Sequence, residues 1–214
     1  MRQLIEVRTT SLWGSPAAVW RPAAQTWPAA RCRWCSGLVR PDCRARKCGG
    51  ARHRSRRLTA VHSYRISSDL AADPDVVWRQ ATDLPGVNSE LMPLVRMTVP
   101  KGLVGARLDD LPVGRGAGRT WLLLFGVFPV DFDDLTIAEH GPGRRFLERS
   151  TMLTQSRWEH ERTVAAVGGG CRVVDQLQWQ GRNRALGGLY RLAVPILFGH
   201  RHRRLRRRYG VLAR

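Results

Sequence analysis

Lysine is almost missing from this chain. Of 36 Lys/Arg residues only Lys47 and Lys101 are lysines. An arginine bias can come from a GC-rich coding sequence as easily as from selection for guanidinium forks, so alone it identifies no phosphate-binding function. Cysteine is scarce too, five in 214 residues. That excludes a small disulfide-stapled scaffold and points to a reducing, cytoplasmic setting. Long apolar runs are absent. The longest, over 121–130 and 192–198, fall short of the ~20 residues that span a bilayer. The opening MRQLIEVRTTSLWG lacks the uninterrupted apolar stretch of a secretory signal. Membrane contact is therefore expected to be peripheral at most. Acid is missing from both ends: residues 1–60 hold 13 Lys/Arg against 2 Asp/Glu, and residues 182–214 hold 10 Arg and no acid. The net charge of +19 belongs to the ends, and the residues between them carry a slight acidic excess.

Residues 1–60 show no sustained period. Trp13, Trp20, Trp27 and Trp34 are spaced by seven, but Pro16, Pro22 and Pro28 interrupt any helix that could present them as a seam. The segment reads as a basic, disordered extension, with 61–214 as the folded domain. Val61 could also be the true initiation codon. Cys32, Cys35, Cys43 and Cys48, with His53 beyond, supply four potential zinc ligands. Only the first pair has knuckle spacing, and no strand or turn pattern surrounds either pair. No metal or other cofactor is expected.

Order begins at Tyr64. The pattern predicts a strand over 64–70 and a helix opened by Asp73-Pro74. Leu84-Pro85-Gly86 reads as a breaker, followed by a short helix over 87–92. Strands are expected over 95–99, 107–111, 119–125, 130–139, 145–153, 156–167 and 172–180. A long helix over 183–213 contains Pro195 as an expected kink. Gly114 to Gly118 reads as a flexible connection, since it lacks the Lys-Ser/Thr of a phosphate loop.

The strongest local signal is SRWEHERTVAAVGGGCRVVDQLQW, residues 156–179. Both arms alternate with period two around Gly168-Gly169-Gly170. Trp158, His160 and Arg162 share one face of the first arm, and Asp175, Leu177 and Trp179 share one face of the second. Centring the turn on the glycines sets Trp158 opposite Trp179 and Arg162 opposite Asp175. A slip of one residue would turn the whole set over. A face mixing large aromatics with ionisable groups suits a ligand cavity in a curved sheet, or a well-paired core.

The order of strand, two helices, a run of antiparallel strands and a long final helix, together with ADPDVVWRQATDLPG (72–86), RWEHERT (157–163), GGGCRVVDQLQW (168–179) and LFGHRHRRL (197–205), resembles the START-like superfamily. That superfamily, also called SRPBCC, includes polyketide cyclases, lipid-transfer domains and pollen-allergen-like proteins. The resemblance covers about residues 62–210. It implies an α+β helix-grip fold, in which a curved antiparallel sheet wraps the C-terminal helix and encloses an apolar cavity. Fold alone does not fix function.

His160 is the candidate for acid–base chemistry near neutral pH, or else a satisfied core histidine. Arg162 and Asp175 read as a register-fixing ion pair, or as a holder for a polar ligand group. Trp121, Phe132, Trp158 and Trp179 would line a cavity if they face inward. Leu189, Leu192, Ala193 and Ile196 are expected to supply the apolar face of the last helix. Asp109, Asp110, Asp131, Asp133 and Asp134 read as solvated charge, without calcium-loop spacing. Cys171 reads as a small packing residue.

The leading expectation is a protein that binds a small hydrophobic molecule (a polyketide, lipid or isoprenoid-like compound). Cyclase or dehydratase activity through His160 is a sub-case. The rival is an interaction protein whose basic ends meet an anionic membrane surface or nucleic acid, through Arg201, Arg203, Arg204, Arg206, Arg207 and Arg208. Oligomeric state is not legible.

Overall fold

The structure is a computed structural model and describes residues 59–213 apart from residues 101 and 142. The expectations placed on 1–58, namely the extension, the spaced tryptophans and the Cys32, Cys35, Cys43 and Cys48 set, lie outside the described residues.

β1 (Val61–Leu70) opens the fold. Asp73 then caps α1 (Pro74–Ala81), its carboxylate accepting from the backbone N–H groups of Asp75 and Val76. The device repeats at once. Asp83 accepts from the Gly86 N–H at 2.6 Å and starts α2 (Leu84–Leu91). This corrects the reading of Leu84-Pro85-Gly86 as a breaker. In the first helical turn a proline's missing N–H leaves no bond unmade, so there the residue starts a helix.

β2 (Val95–Met97) follows, then a 3-10 turn (Leu108–Asp110) where a strand was expected over 107–111. Asp110 accepts from the backbone N–H of Arg107 at 2.8 Å and closes that turn. The remaining elements are β3 (Gly116–Leu124), β4 (Phe128–Gly141), β5 (Arg145–Met152), β6 (Gln155–Val167), β7 (Gly170–Gly181) and α3 (Arg184–Tyr209). Pro195 lies inside α3, and Asn183 caps its start.

The strands form one antiparallel sheet in the order β1-β7-β6-β5-β4-β3-β2. Register shifts interrupt the ladders at Gly116/Gly118, Leu122/Leu123, Ile137/Glu139 and Gln155/Arg157. Each extra residue bends its strand and sharpens the twist, so the sheet curls around α3. The chain has the expected helix-grip fold. Between β6 and β7, Gly168 and Gly169 both take positive φ, +45° and +85°, as a two-residue type I′ turn requires. Trp158 pairs with Trp179 and Arg162 with Asp175, as the alternation predicts.

The interior is layered along the strands. Leu70, Val77, Val164, Cys171, Val173 and Leu205 make one apolar layer. Met152, Trp158, Leu177, Trp179, Val194 and Phe198 make another. Between them β6 contributes His160 and Arg162, β7 contributes Asp175, and α3 contributes Arg201 and His202, all buried. A polar slab is thus held between two apolar ones.

The face of α3 is corrected. Its buried stripe is Gly187, Val194, Phe198, Arg201, His202 and Leu205. Leu189, Leu192 and Ile196 are more than half exposed, and Ala193 is exposed beside them. Both stripes have helical spacing. The more hydrophobic one faces outward because the buried one must supply Arg201 to Glu90 and the His202 ring to Asp175. Arg201 is therefore withdrawn from the surface that was expected to contact an anionic partner. No helix among the described residues is long and apolar enough to cross a membrane.

Candidate functional site

A cavity of about 130 Å³ lies between α1–α2, the 3-10 turn and β4. Its walls are apolar, with Val87, Leu108, Leu111, Leu135 and Ile137 among them, and its polar groups include Glu148, His160 and Arg201. Each element presents its residue for a local reason. On β5 the side chains of Phe146, Glu148, Ser150 and Met152 alternate inward, which leaves Glu148 8% exposed. On β6 the same alternation points His160 and Arg162 to the concave side.

The His160 ring is clamped edge-on by Phe146 and Phe198, at 5.3 and 5.2 Å between centroids. Its Nε2 lies 2.9 Å from Asp175 Oδ1 and its Nδ1 3.7 Å from Glu148 Oε2. With Nε2–H donating to Asp175, Nδ1 is the nitrogen left to exchange a proton on the Glu148 side.

Behind His160 the charges balance. Arg162 donates from Nε and Nη2 to the two oxygens of Asp175, both at 2.7 Å. Its Nη1 reaches both oxygens of Glu90, at 3.1 and 2.9 Å. Arg201 donates twice to Glu90 Oε2, at 3.1 and 2.9 Å. Two guanidinium groups thus meet two carboxylates at side-chain exposures of 6% or less, where solvent screens the attraction little. Burial opposes the charge on Asp175. The adjacent Arg162, with the hydrogen bonds from Arg162, His160 and His202, outweighs it and holds the carboxyl well below the usual range.

His202 completes this side. Burial pushes its pKa down, against the pull of Asp175. A neutral ring fits a directed chain: Arg206 Nη1 donates to Ser68 Oγ at 2.8 Å, Ser68 O–H donates to His202 Nδ1 at 2.8 Å, and His202 Nε2–H donates to Asp175 Oδ2 at 3.0 Å. The residue types are those of a Ser-His-Asp nucleophilic triad. Here, however, Ser68 is 5% exposed, its hydroxyl is engaged on both sides, and Asp175 is neutralised by Arg162. The chain is therefore a structural strut.

A second acidic group adjoins Glu148. Asp133 is 4% exposed and its Oδ1 has no hydrogen-bond partner. Burial first, then repulsion from Glu148, pushes its carboxyl well above the usual range. Glu148 moves the other way. Burial opposes its charge, but its hydrogen bond and attraction to His160 prevail. Ser150 O–H donates to Glu148 Oε1 at 3.0 Å. Asp131, also buried, accepts from Tyr190 O–H at 2.5 Å and from Thr154 O–H. Asp131 and Asp133 are therefore interior groups, which corrects their reading as solvated charge.

Of the residues expected at a site, His160, Arg162, Asp175, Trp158 and Trp179 come together on the concave face, although only His160 lines the cavity. Trp121 does not join them. It is 43% exposed and stacks edge-on against half-buried Phe132, over whose ring Arg119 lies at 3.7 Å. Both aromatics belong to the outward side, because β4 alternates and turns Asp131 and Asp133 inward.

Sequence reasoning missed Glu90, Glu148 and His202 as members of this cluster. A signal existed for two of them. Val194, Phe198 and Leu205 recur at i, i+4 and i+11, which carries the buried stripe of α3 through His202. Alternation between Phe146 and Met152 carries Glu148 inward. Nothing local marks Glu90.

No curated protein matches the chain. Among solved structures, protein CV1439 from Chromobacterium violaceum superposes with a TM-score of 0.53 at 15% identity, over 69% of this chain and 96% of that one. This likeness is one of fold. An aromatase/cyclase, Zhui from Streptomyces sp. R1128, gives a TM-score of 0.48 at 14% identity over 71% of this chain and 98% of its own. A START superfamily protein from Mycobacterium smegmatis gives 0.46 at 9% identity, over 69% and 97%. By the match of residues 68–209, the chain belongs to the family described as Domain of unknown function (DUF8410).

Proposed function

We propose that this protein binds a small hydrophobic molecule, of polyketide, lipid or isoprenoid type, in the cavity beside His160. The observation that carries the reading is an apolar-walled space in which Glu148, His160 and Arg201 are set among otherwise largely apolar residues. Apolar walls with a few convergent polar groups are the general pattern of ligand pockets. At about 130 Å³ the space is smaller than the ~300–1,000 Å³ of pockets that enclose a drug-sized ligand. It takes one ring or the end of a chain, and a longer ligand extends past the rim.

Cyclase or dehydratase chemistry is the catalytic form of this reading. Nδ1 of His160 would take a proton from the ligand and return it elsewhere on the same molecule, with Glu148 stabilising the charged ring. The test is native mass spectrometry of the full chain after exposure to a lipid and polyketide extract. A retained adduct that disappears in Ala106→Trp, which fills the cavity from its wall, supports the binding reading. No adduct from any extract overturns it. His160→Gln that abolishes turnover while the adduct persists supports catalysis, and unchanged turnover rules His160 out.

A further inference from the structure

The last turns of α3 carry a second concave site, whose lining shares no residue with the cavity. Arg204, Arg207 and Arg208 stand at i, i+3 and i+4 and so share one helical face. With Gln80 of α1 and Ser89 and Glu90 of α2 they line a recess of about 270 Å³. Among the described residues none of these three arginines is paired with a carboxylate. The acid in the recess, Glu90, is engaged by Arg162 and Arg201 instead.

Two of the three side chains are held in place. Arg204 Nε donates to the Ser89 carbonyl at 2.6 Å, and the Arg208 guanidinium lies over the Tyr209 ring at 5.6 Å. Tyr209 O–H in turn donates to Gln80 Oε1 at 2.6 Å, and Gln80 Nε2 donates to Ser89 Oγ at 3.3 Å. The floor is thus satisfied and the forks above it are open. Like charges at this spacing repel. The helix C-terminus eases that repulsion in part, and an anion between them would remove it.

We propose that this recess binds a phosphate-type polyanion, a phosphate monoester or diphosphate group held by the forks of Arg204, Arg207 and Arg208. Planar guanidinium groups match tetrahedral oxyanions two oxygens at a time. The recess is concave and small, which fits a terminal phosphate group better than the extended backbone of a duplex. The group can belong to a soluble phosphorylated molecule or to a lipid headgroup.

The test uses the full chain and inorganic pyrophosphate in titration calorimetry. Arg207→Gln/Arg208→Gln is compared with Arg191→Gln/Arg203→Gln, which removes equal charge from exposed positions outside the recess. Binding weakened at least tenfold by the first pair and less than twofold by the second supports the site. No binding, or equal loss from both pairs, overturns it. Binding of a DNA duplex that both pairs weaken equally, with pyrophosphate failing to compete, also overturns it in favour of diffuse charge contact. Vesicles of phosphatidylglycerol in phosphatidylcholine name the source. Vesicle binding that needs the recess pair and yields to pyrophosphate assigns a lipid headgroup, whereas indifference to that pair assigns a soluble ligand. Ala106→Trp should leave pyrophosphate binding unchanged, so this site and the hydrophobic cavity stand or fall separately.

Discussion

Arg162 grips Asp175 across the β6–β7 ladder through two N–H donors of equal length, 2.7 Å to each carboxylate oxygen. Both side chains are 1% exposed or less. Such a pair adds modest net stability while intact, but it is costly to halve. Asp175→Asn leaves Arg162 with Glu90 alone and the His202 strut without its acceptor charge. The expected loss is about 3–5 kcal/mol in urea unfolding at pH 7. A loss under about 1 kcal/mol would place the pair among solvent-screened surface contacts.

The buried carboxyls act on stability in opposite directions with pH. Asp175, held low when folded, contributes stability that is present above the unfolded carboxyl pKa near ~3.9 and lost as pH falls toward its folded value. Asp133, held high, contributes stability that is full below the unfolded pKa and lost as pH rises through its folded value. Asp133→Asn mimics the protonated carboxyl. It should become progressively more stable relative to the native chain from pH 4 to pH 8, by urea midpoint. A difference that stays constant across that range would mean Asp133 does not keep its proton in the folded state.

The two stripes of α3 separate cleanly by substitution. Phe198→Ala, at a position 3% exposed, is expected to cost about 3–5 kcal/mol. Leu192→Gln, at 69% exposure, should change stability by less than about 0.5 kcal/mol. Neither Leu192→Gln nor Ala193→Trp should alter retention of a cavity ligand. Loss of that ligand in either variant would return the outward stripe to the binding surface.

Gly181 meets the first turn of α3 so closely that a Cβ there would stand 2.3 Å from the backbone nitrogen of Gly187. Backbone cannot step aside as a side-chain tip can. Gly181→Ala is expected to cost about 1–3 kcal/mol by overpacking, and to weaken the Trp179 Nε1–H bond to the Gly187 carbonyl, 3.3 Å long. Thermal unfolding together with Trp fluorescence tests both effects.

Much of the fold was legible because strands declare themselves through alternation. From Trp158 to Trp179 the period of two specified the inward set and even the cross-strand partners. Asp73-Pro74 announced α1 for the same reason that Asp83 and Pro85 start α2, yet the second instance was hidden by Gly86, whose turn signal dominates when read alone. The site was less legible. Glu90 reaches Arg162 across 72 residues of sequence, and long-range pairing leaves no periodic trace. On α3 the hydrophobic ranking misled, since burial there follows charge complementarity more than apolarity. Leu192 lies outside while Arg201 lies within.

The sheet order also sets a schedule. β1 pairs with β7 along its whole length, and Thr59 Oγ1 donates to the Gly181 carbonyl 122 positions away. Every other ladder joins strands adjacent in the chain. At ~5–20 residues per second of synthesis, β1 leaves the ribosome on the order of ten seconds before its partner exists. During that interval its inward residues, Ser68 and Leu70 among them, have nothing to face. The ladders from β2 to β7 can close as they emerge, whereas β1 must wait for β7.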